Sequence, residues 1–117
     1  MTEAHENGRA AFLDRSARAR IAVEKIDEPV LLIGGDQDTT WASGNMARTI
    51  AAQREAAGLP TELYVYENAS HAVGGTPIAR VRAADLEARL ENFPATIEFL
   101  KRNAERKSCG ATPQSAE

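Results

Sequence analysis

The 117-residue chain is poor in cysteine, in aromatic residues and in long apolar runs. Its single cysteine excludes an intramolecular disulfide and is typical of a reducing compartment. No stretch approaches the roughly 18 apolar residues of a membrane span, and the charged residues 1–20 contain no signal-peptide core. The net charge of −3 provides no basic surface for nucleic acid. These absences predict a cytoplasmic protein that binds neither membrane nor nucleic acid.

Two short apolar runs predict two strands of a parallel sheet. Residues 29–35 are aliphatic without alternation and end in two glycines, which is typical of a strand buried on both faces. A buried helical turn is the alternative, but the proline before the run and the glycines after it favour a strand. Residues 63–66 are rich in β-forming side chains and are followed by a turn at 68–70.

Helical patterns lie between and after these strands. Ser43 is a candidate N-cap for a helix over 43–57, and Gly58 is its expected C′ stop. Strand, helix and strand then form a right-handed βαβ unit. A last helix, after the loop at 74–77, is expected to reach about residue 107 with a single apolar stripe of Leu86, Leu90, Phe93, Ile97 and Leu100. Pro94 either kinks this helix or begins a new one.

The predicted elements are too few for an independent domain. Residues 1–20 are polar and are expected to form a loose arm or a poorly anchored helix, and residues 108–117 are expected to be a disordered tail. Between them, residues 21–107 supply only two strands, whereas three or more are normally needed, and both sheet edges stay open. We therefore expect the incomplete βαβα portion of a larger α/β fold.

Side chains capable of acid–base chemistry follow both strands. Asp36 and Asp38 come after the first strand, and His71 comes after the second. Functional groups of open α/β sheets lie just past the carboxyl ends of the strands, and the order acid then histidine completes a hydrolase triad. We expect a carboxylate oxygen of Asp38 to lie within about 2.6–3.2 Å of His71 Nδ1. This pairing is expected to lower the pKa of Asp38. Asp36 is expected to form the turn instead.

Four segments between residues 21 and 103 carry a resemblance to a known family. They are Val23-Glu24-Lys25-Ile26 with Pro29-Val30-Leu31-Leu32-Ile33, then Gly35-x-x-Asp38-x-x-Trp41-x-Ser43-x-x-Met46-Ala47, then Val65-Tyr66-x-x-Ala69-x-His71-Ala72-Val73-Gly74, and finally Phe99-Leu100. Together they resemble the C-terminal domain of the acyl-CoA thioester hydrolase and bile acid-CoA:amino acid N-acyltransferase family. Dienelactone hydrolases and prolyl-oligopeptidase-like enzymes share the acid and histidine loops, but the first segment and the Trp-x-Ser after the acid favour the thioesterase branch.

The resemblance implies an α/β-hydrolase that acts on acyl-CoA thioesters or esters, by hydrolysis or acyl transfer, without a cofactor or metal. By position in the motifs, Asp38 matches the triad acid and His71 the triad histidine. Two departures are minor: Ala42 replaces a usual proline, and Ser70 replaces a usual glycine.

A larger departure concerns the nucleophile. The family's elbow, Gly-x-Ser-x-Gly or a variant with cysteine, precedes the acid, and these 117 residues contain no such motif. Ser16 lacks flanking glycines, Ser43 follows the acid, and Cys109 follows the histidine. The first hypothesis is thus the C-terminal part of a hydrolase whose nucleophile lies on an N-terminal segment. The alternative is a non-catalytic remnant or interaction module. Either one is expected to expose strand edges that favour self-association.

Other conspicuous residues are expected to be structural. Trp41 is expected to pack under the acid loop, and His5 to have no specific role. Arg80 and Arg82 could meet a CoA phosphate, but solvated helix charges are the preferred interpretation.

Overall fold

The computed structural model describes residues 2–75 and 81–109. The elements, in chain order, are α1 (Thr2–Ala11), α2 (Leu13–Ala19), β1 (Val30–Gly35), α3 (Ser43–Ala56), β2 (Thr61–Tyr66) and α4 (Ala83–Cys109), with short 3₁₀ turns at Val23–Lys25 and His71–Gly74. The predicted α/β order of strand, helix, strand and helix is confirmed.

β1 and β2 are adjacent and parallel, as predicted, and pair in register from Val30 opposite Thr61 to Gly35 opposite Tyr66. The connecting α3 ends where expected, because Gly58 takes the left-handed conformation (φ 70°) that releases the chain from the helix. Since the strands are parallel and in register, their carboxyl ends emerge together at one edge of the sheet.

The two longer helices lie on opposite faces of the sheet. Gly34 approaches the backbone of Ser43 and Gly44 in α3. The neighbouring Ile33 packs on the other face, against a cluster to which α4 contributes Ala88. The small core on the α4 side consists of Ala69, Val73 and Ala88, with Ile33 and Tyr66 packed against it.

Residues 30–33 of β1 are only half-buried, so the prediction of a strand buried on both faces is wrong for most of that strand. β2 is mostly half-buried as well. Within residues 2–75 and 81–109 the sheet has two strands, and each strand has an unpaired outer edge. Only Gly34 and Gly35 of β1 are fully buried.

The prediction that Ser43 caps α3 is also wrong. Ala42 occupies the cap position and Ser43 is the first helical residue, so its hydroxyl does not bond the helix's own N–H groups. Instead, the hydroxyl lies 3.3 Å from the Gly35 nitrogen and 3.4 Å from the Gly35 oxygen. The side chain thereby ties the start of α3 to the end of β1.

The last helix is one continuous element. α4 begins at Ala83 and contains Pro94 in its interior, so no new helix begins there. It extends through Cys109, two residues into the predicted tail, and the rest of that tail, residues 110–117, lies outside the described residues.

The predicted apolar stripe of α4 faces away from the sheet. Its five members are 49–79% exposed, and these are Leu86, Leu90, Phe93, Ile97 and Leu100. The buried face instead carries Asp85, Ala88, Asn92 and Phe99. The polar members of this inner face bond backbone groups of the 3₁₀ turn at His71–Gly74 and its cap, and this fixes which side of α4 turns inward.

The predicted N-terminal arm is helical and largely exposed. The ring of His5 in α1 lies 4.5 Å from that of Trp41, centroid to centroid. After α2, Arg20 pairs with Glu24 and contacts Gln53 in α3 at 3.4 Å. In the described part of the chain, no helix has both the length and the apolar character needed to cross a membrane.

Candidate active site

Gly35 allows the loops after β1 and β2 to approach each other closely. A Cβ atom at this position would lie 2.5 Å from the Ala69 carbonyl oxygen and 2.7 Å from that of Ser70. Both distances are shorter than the non-bonded contacts that Cβ atoms make in proteins, and both oxygens belong to the backbone. A side chain here would therefore force the two loops apart.

Three hydrogen bonds join the two loops just beyond the strands. The Asp36 N–H donates to the Tyr66 carbonyl at 3.1 Å, and the Gln37 N–H donates to that of Ala69 at 2.9 Å. Asp36 Oδ1 accepts the Asn68 N–H at 2.6 Å. Asn68 has a φ of 60°, a conformation that Asn tolerates better than most residues. Asp36 therefore serves the turn, as predicted.

Asp38 lies in the same loop and uses its two carboxylate oxygens differently. Oδ1 accepts the N–H groups of Thr40 at 2.9 Å and Trp41 at 3.1 Å. Oδ2 lies 3.0 Å from His71 Nδ1, and the Asp38 side chain is only 1% exposed. The expected contact between Asp38 and His71 is present, and Asp36 does not make it.

The electrostatics of this loop keep Asp38 ionised at neutral pH. Burial alone would raise the Asp38 pKa. Hydrogen bonds from the Ser43 hydroxyl, the Trp41 N–H, the His71 ring and the Thr40 N–H outweigh that cost, so the pKa lies below its ordinary value. The direction agrees with the prediction from sequence. A buried carboxylate with a fixed geometry is what holds an imidazole in one tautomer.

His71 lies at the start of the short 3₁₀ turn, with its side chain 29% exposed. Since the Asp38 carboxylate accepts at Nδ1, the ring proton is placed on Nδ1 and the lone pair on Nε2. In residues 2–75 and 81–109, Nε2 has no hydrogen-bond partner. The arrangement therefore leaves a basic nitrogen open to a reacting group.

Sequence reasoning missed the buried polar residues of α4 next to this turn. Asp85 is fully buried, and its carboxylate accepts from Ser70 and from the Arg82 N–H. Burial raises the Asp85 pKa, but the hydrogen bonds from Arg82 and Ser70 outweigh it and lower the pKa overall. The available signal was the polar spacing of Asp85, Arg89 and Asn92, which follows helical periodicity as well as the apolar stripe does.

The remaining candidate residues stay outside this arrangement. Trp41 is 44% exposed and contacts His5, so it does not pack beneath the acid loop as predicted, and His5 has a specific neighbour. Arg82 is exposed, as expected for a solvated charge, and Arg80 lies outside the described residues. The Ser43 hydroxyl is occupied by Gly35 and Asp38. Among the described residues, no three His, Cys, Asp or Glu side chains are placed to hold a metal ion.

Comparison with known proteins identifies a family. The family model described as BAAT / Acyl-CoA thioester hydrolase C terminal matches residues 3–90, about three quarters of the chain. The matched range contains both loops and begins at α1, further towards the N-terminus than the motifs noted in the sequence. No curated protein and no solved structure matches the chain.

Proposed function

The chain belongs to the BAAT / acyl-CoA thioester hydrolase C-terminal family, and from that premise we propose that Asp38 and His71 are the acid and base of an acyl-transfer triad. The substrates are acyl-CoA thioesters or related esters. The observation that carries the proposal is the 3.0 Å contact between buried Asp38 Oδ2 and His71 Nδ1. The open Nε2 on the other side of the ring supports the assignment of His71 as the base.

The proposed chemistry follows from this geometry. His71 Nε2 takes the proton from a serine or cysteine nucleophile, which attacks the thioester carbonyl and becomes acylated. The imidazolium, stabilised by Asp38, then gives that proton to the departing CoA sulfur. In the second half, Nε2 takes a proton from water or an amine acceptor, which attacks the acyl carbonyl. The bond to the nucleophile then breaks, and the imidazolium returns the proton to its oxygen or sulfur. The nucleophile is supplied by polypeptide outside these 117 residues.

A chimeric enzyme tests this proposal. In a complete thioesterase of the same family, the segment that bears the acid and histidine is replaced by residues 3–109 of this chain, and release of free CoA is measured. We expect activity in the chimera and a loss of about 10²–10⁴-fold in His71→Ala and in Asp38→Asn. Asp36→Asn is the matched control, because Asn retains the oxygen that accepts from Asn68, and its activity should be unchanged.

Two outcomes would contradict the proposal. One is a chimera that folds but releases no CoA, and the other is an active chimera whose rate is insensitive to His71→Ala. The chain by itself should release CoA no faster than buffer. A faster rate that disappears in His71→Ala would show that the nucleophile lies within these 117 residues.

The second candidate is a non-catalytic interaction module, and the exposed apolar stripe of α4 favours it. Under that hypothesis the contact between Asp38 and His71 is a structural remnant. A folded but inert chimera, together with specific binding of the chain through the stripe, is the result that would select this alternative.

A further inference from the structure

His71 begins a single short 3₁₀ turn, which is capped by Ser70 and Gly75. The Val73 N–H donates to the Ser70 carbonyl at 3.2 Å, and the Gly75 N–H donates to that of Ala72 at 3.0 Å. The Ala72 N–H also donates to the Ser70 hydroxyl at 3.2 Å. Hydrogen-bond geometry is poorer in a 3₁₀ turn than in an α-helix, and we do not expect one isolated turn to define its own geometry. The orientation of His71 therefore depends on what surrounds the turn.

Three polar side chains of α4 bond successive parts of this turn. The Asp85 carboxylate accepts the Ser70 N–H at 2.5 Å and the Ser70 hydroxyl at 2.8 Å. Arg89 donates to the Ala72 carbonyl, with its Nε at 2.9 Å. Asn92 Nδ2 donates to the Val73 carbonyl at 3.3 Å. The spacing of four and three residues places all three side chains on one face of α4.

These bonds enclose His71 from both directions along the chain. Ser70 precedes it and is held by Asp85, and Ala72 follows it and is held by Arg89. The loop after β1 holds the same turn from the other side, through the bond between the Gln37 N–H and the Ala69 carbonyl. The residues on both sides of His71 are thus held in place, and the His71 ring contacts Asp38.

Burial of the Asp85 carboxylate costs more free energy than the start of a helix requires. The side chain is fully buried, and among the described residues it forms no ion pair within 4 Å, although the charge of Arg82 helps to lower its pKa. An exposed carboxylate near a helix N-terminus stabilises the helix through its dipole without the cost of desolvation. Burial is therefore not needed for that role. In the described part of the chain, Asp85 accepts three hydrogen bonds, two from Ser70 and one from Arg82, the residue that precedes α4.

We propose that Asp85 and Arg89 are positioning residues, which hold the turn so that the His71 ring contacts Asp38. This inference rests on the proposed function, because it assigns a purpose to the orientation of His71. It extends the functional set beyond the two loops to a helix that packs against the turn.

The tautomer of His71, read by two-bond ¹H–¹⁵N NMR of the full chain, tests this inference. The chain has two histidines, so a His5→Gln variant assigns both ring signals. We expect His71 to be held as the Nδ1–H form in the wild type and to become a mixture of tautomers in Asp85→Ala. Arg89→Met should weaken the preference, whereas Arg89→Lys, which keeps one donor for the Ala72 carbonyl, should restore part of it.

Phe99→Leu is the matched control for general destabilisation. Phe99 lies on the same buried face of α4, but on the far half of the helix, away from the turn. It should lower stability and leave the His71 tautomer unchanged. If Asp85→Ala does not fold, the Arg89 pair decides the question.

The possible failures are distinguishable. A wild-type chain without a tautomer preference would overturn the contact on which the proposed function depends, whatever Asp85 does. A wild-type preference that survives in Asp85→Ala and Arg89→Met, or is lost equally in Phe99→Leu, would overturn the positioning role alone.

Discussion

The inner and outer faces of α4 reverse the usual arrangement of an amphipathic helix. The inner face carries Asp85 and Asn92, both almost fully buried, whereas the outer stripe is apolar and Leu90 is 79% exposed. The inner side chains satisfy backbone groups of the turn at His71–Gly74 and its cap. The outer side chains are about half exposed or more, although the Phe93 ring lies next to Gly75. The orientation of α4 is therefore set by polar contacts near the site, and its apolar stripe stays largely exposed in the described part of the chain.

Matched substitutions on the two faces of α4 test the difference in burial between them, and we expect the largest effect here. Ala88→Glu places an unpaired charge at a position that is 3% exposed, and we expect a loss of about 3–5 kcal/mol in unfolding free energy. Leu90→Glu, two residues away on the stripe, should change it by less than about 0.5 kcal/mol. Urea denaturation measures both. Equal losses would mean that the stripe is buried after all.

The outer stripe also makes a prediction about association. If the stripe is a contact surface, the wild-type chain should associate with increasing concentration in sedimentation velocity, and Leu90→Glu should shift it towards monomer. A wild-type chain that stays a compact monomer at high concentration and unfolds in a sharp thermal transition would contradict the role of the stripe as a contact surface.

The crowded edge of the sheet provides the next largest effect. Gly35→Ala introduces a Cβ against the Ala69 and Ser70 carbonyls, and we expect a loss of about 1–3 kcal/mol, together with loss of the contact between Asp38 and His71. Gly8→Ala is the control, because nothing lies within 4 Å of a Cβ there and α1 gains a better helix former. It should be neutral or slightly stabilising. If Gly35→Ala proves as harmless, the close approach of the loops is not needed.

A smaller effect is expected from acid. The folded pKa of Asp38 is lowered, so its stabilising contribution is present above the ordinary carboxyl pKa and is lost as the pH falls through the folded value. Asp38→Asn should be less stable than the wild type by about 1 kcal/mol at neutral pH, the difference between charged and neutral hydrogen bonding. This gap should close in acid, where both side chains are neutral. A gap that is independent of pH would contradict the assignment of a charged Asp38.

Much of the site edge was predictable from the sequence, because glycines after an aliphatic strand and a histidine after the next strand leave few arrangements open. The choice of Asp38 over Asp36 came from its place in the family motif, and the geometry agrees with it. The facing of α4 was not predictable in the same way. Periodicity shows that Leu86 and Leu90 share a face, but which face turns inward depends on the width of the sheet and on backbone groups of a distant turn.

The role of Ser43 was missed for a related reason. A serine at the start of a helix satisfies the pattern of an N-cap. Only the packing of β1 against α3 shows that the Ser43 hydroxyl contacts the Gly35 backbone instead. Asp85 likewise resembles an ordinary acidic residue in a first helical turn until Ser70 is placed beside it.

The pairing of Asp38 with His71 is tested most directly by a double-mutant cycle on the isolated chain. Unfolding free energies of Asp38→Ala, His71→Ala and the double variant give their coupling, and the same cycle with Asp36→Ala provides the comparison. We predict a coupling of at least about 0.5 kcal/mol for Asp38 with His71, and additivity within about 0.3–0.5 kcal/mol for Asp36 with His71. Additivity of the first pair, or a stronger coupling of the second, would contradict the account.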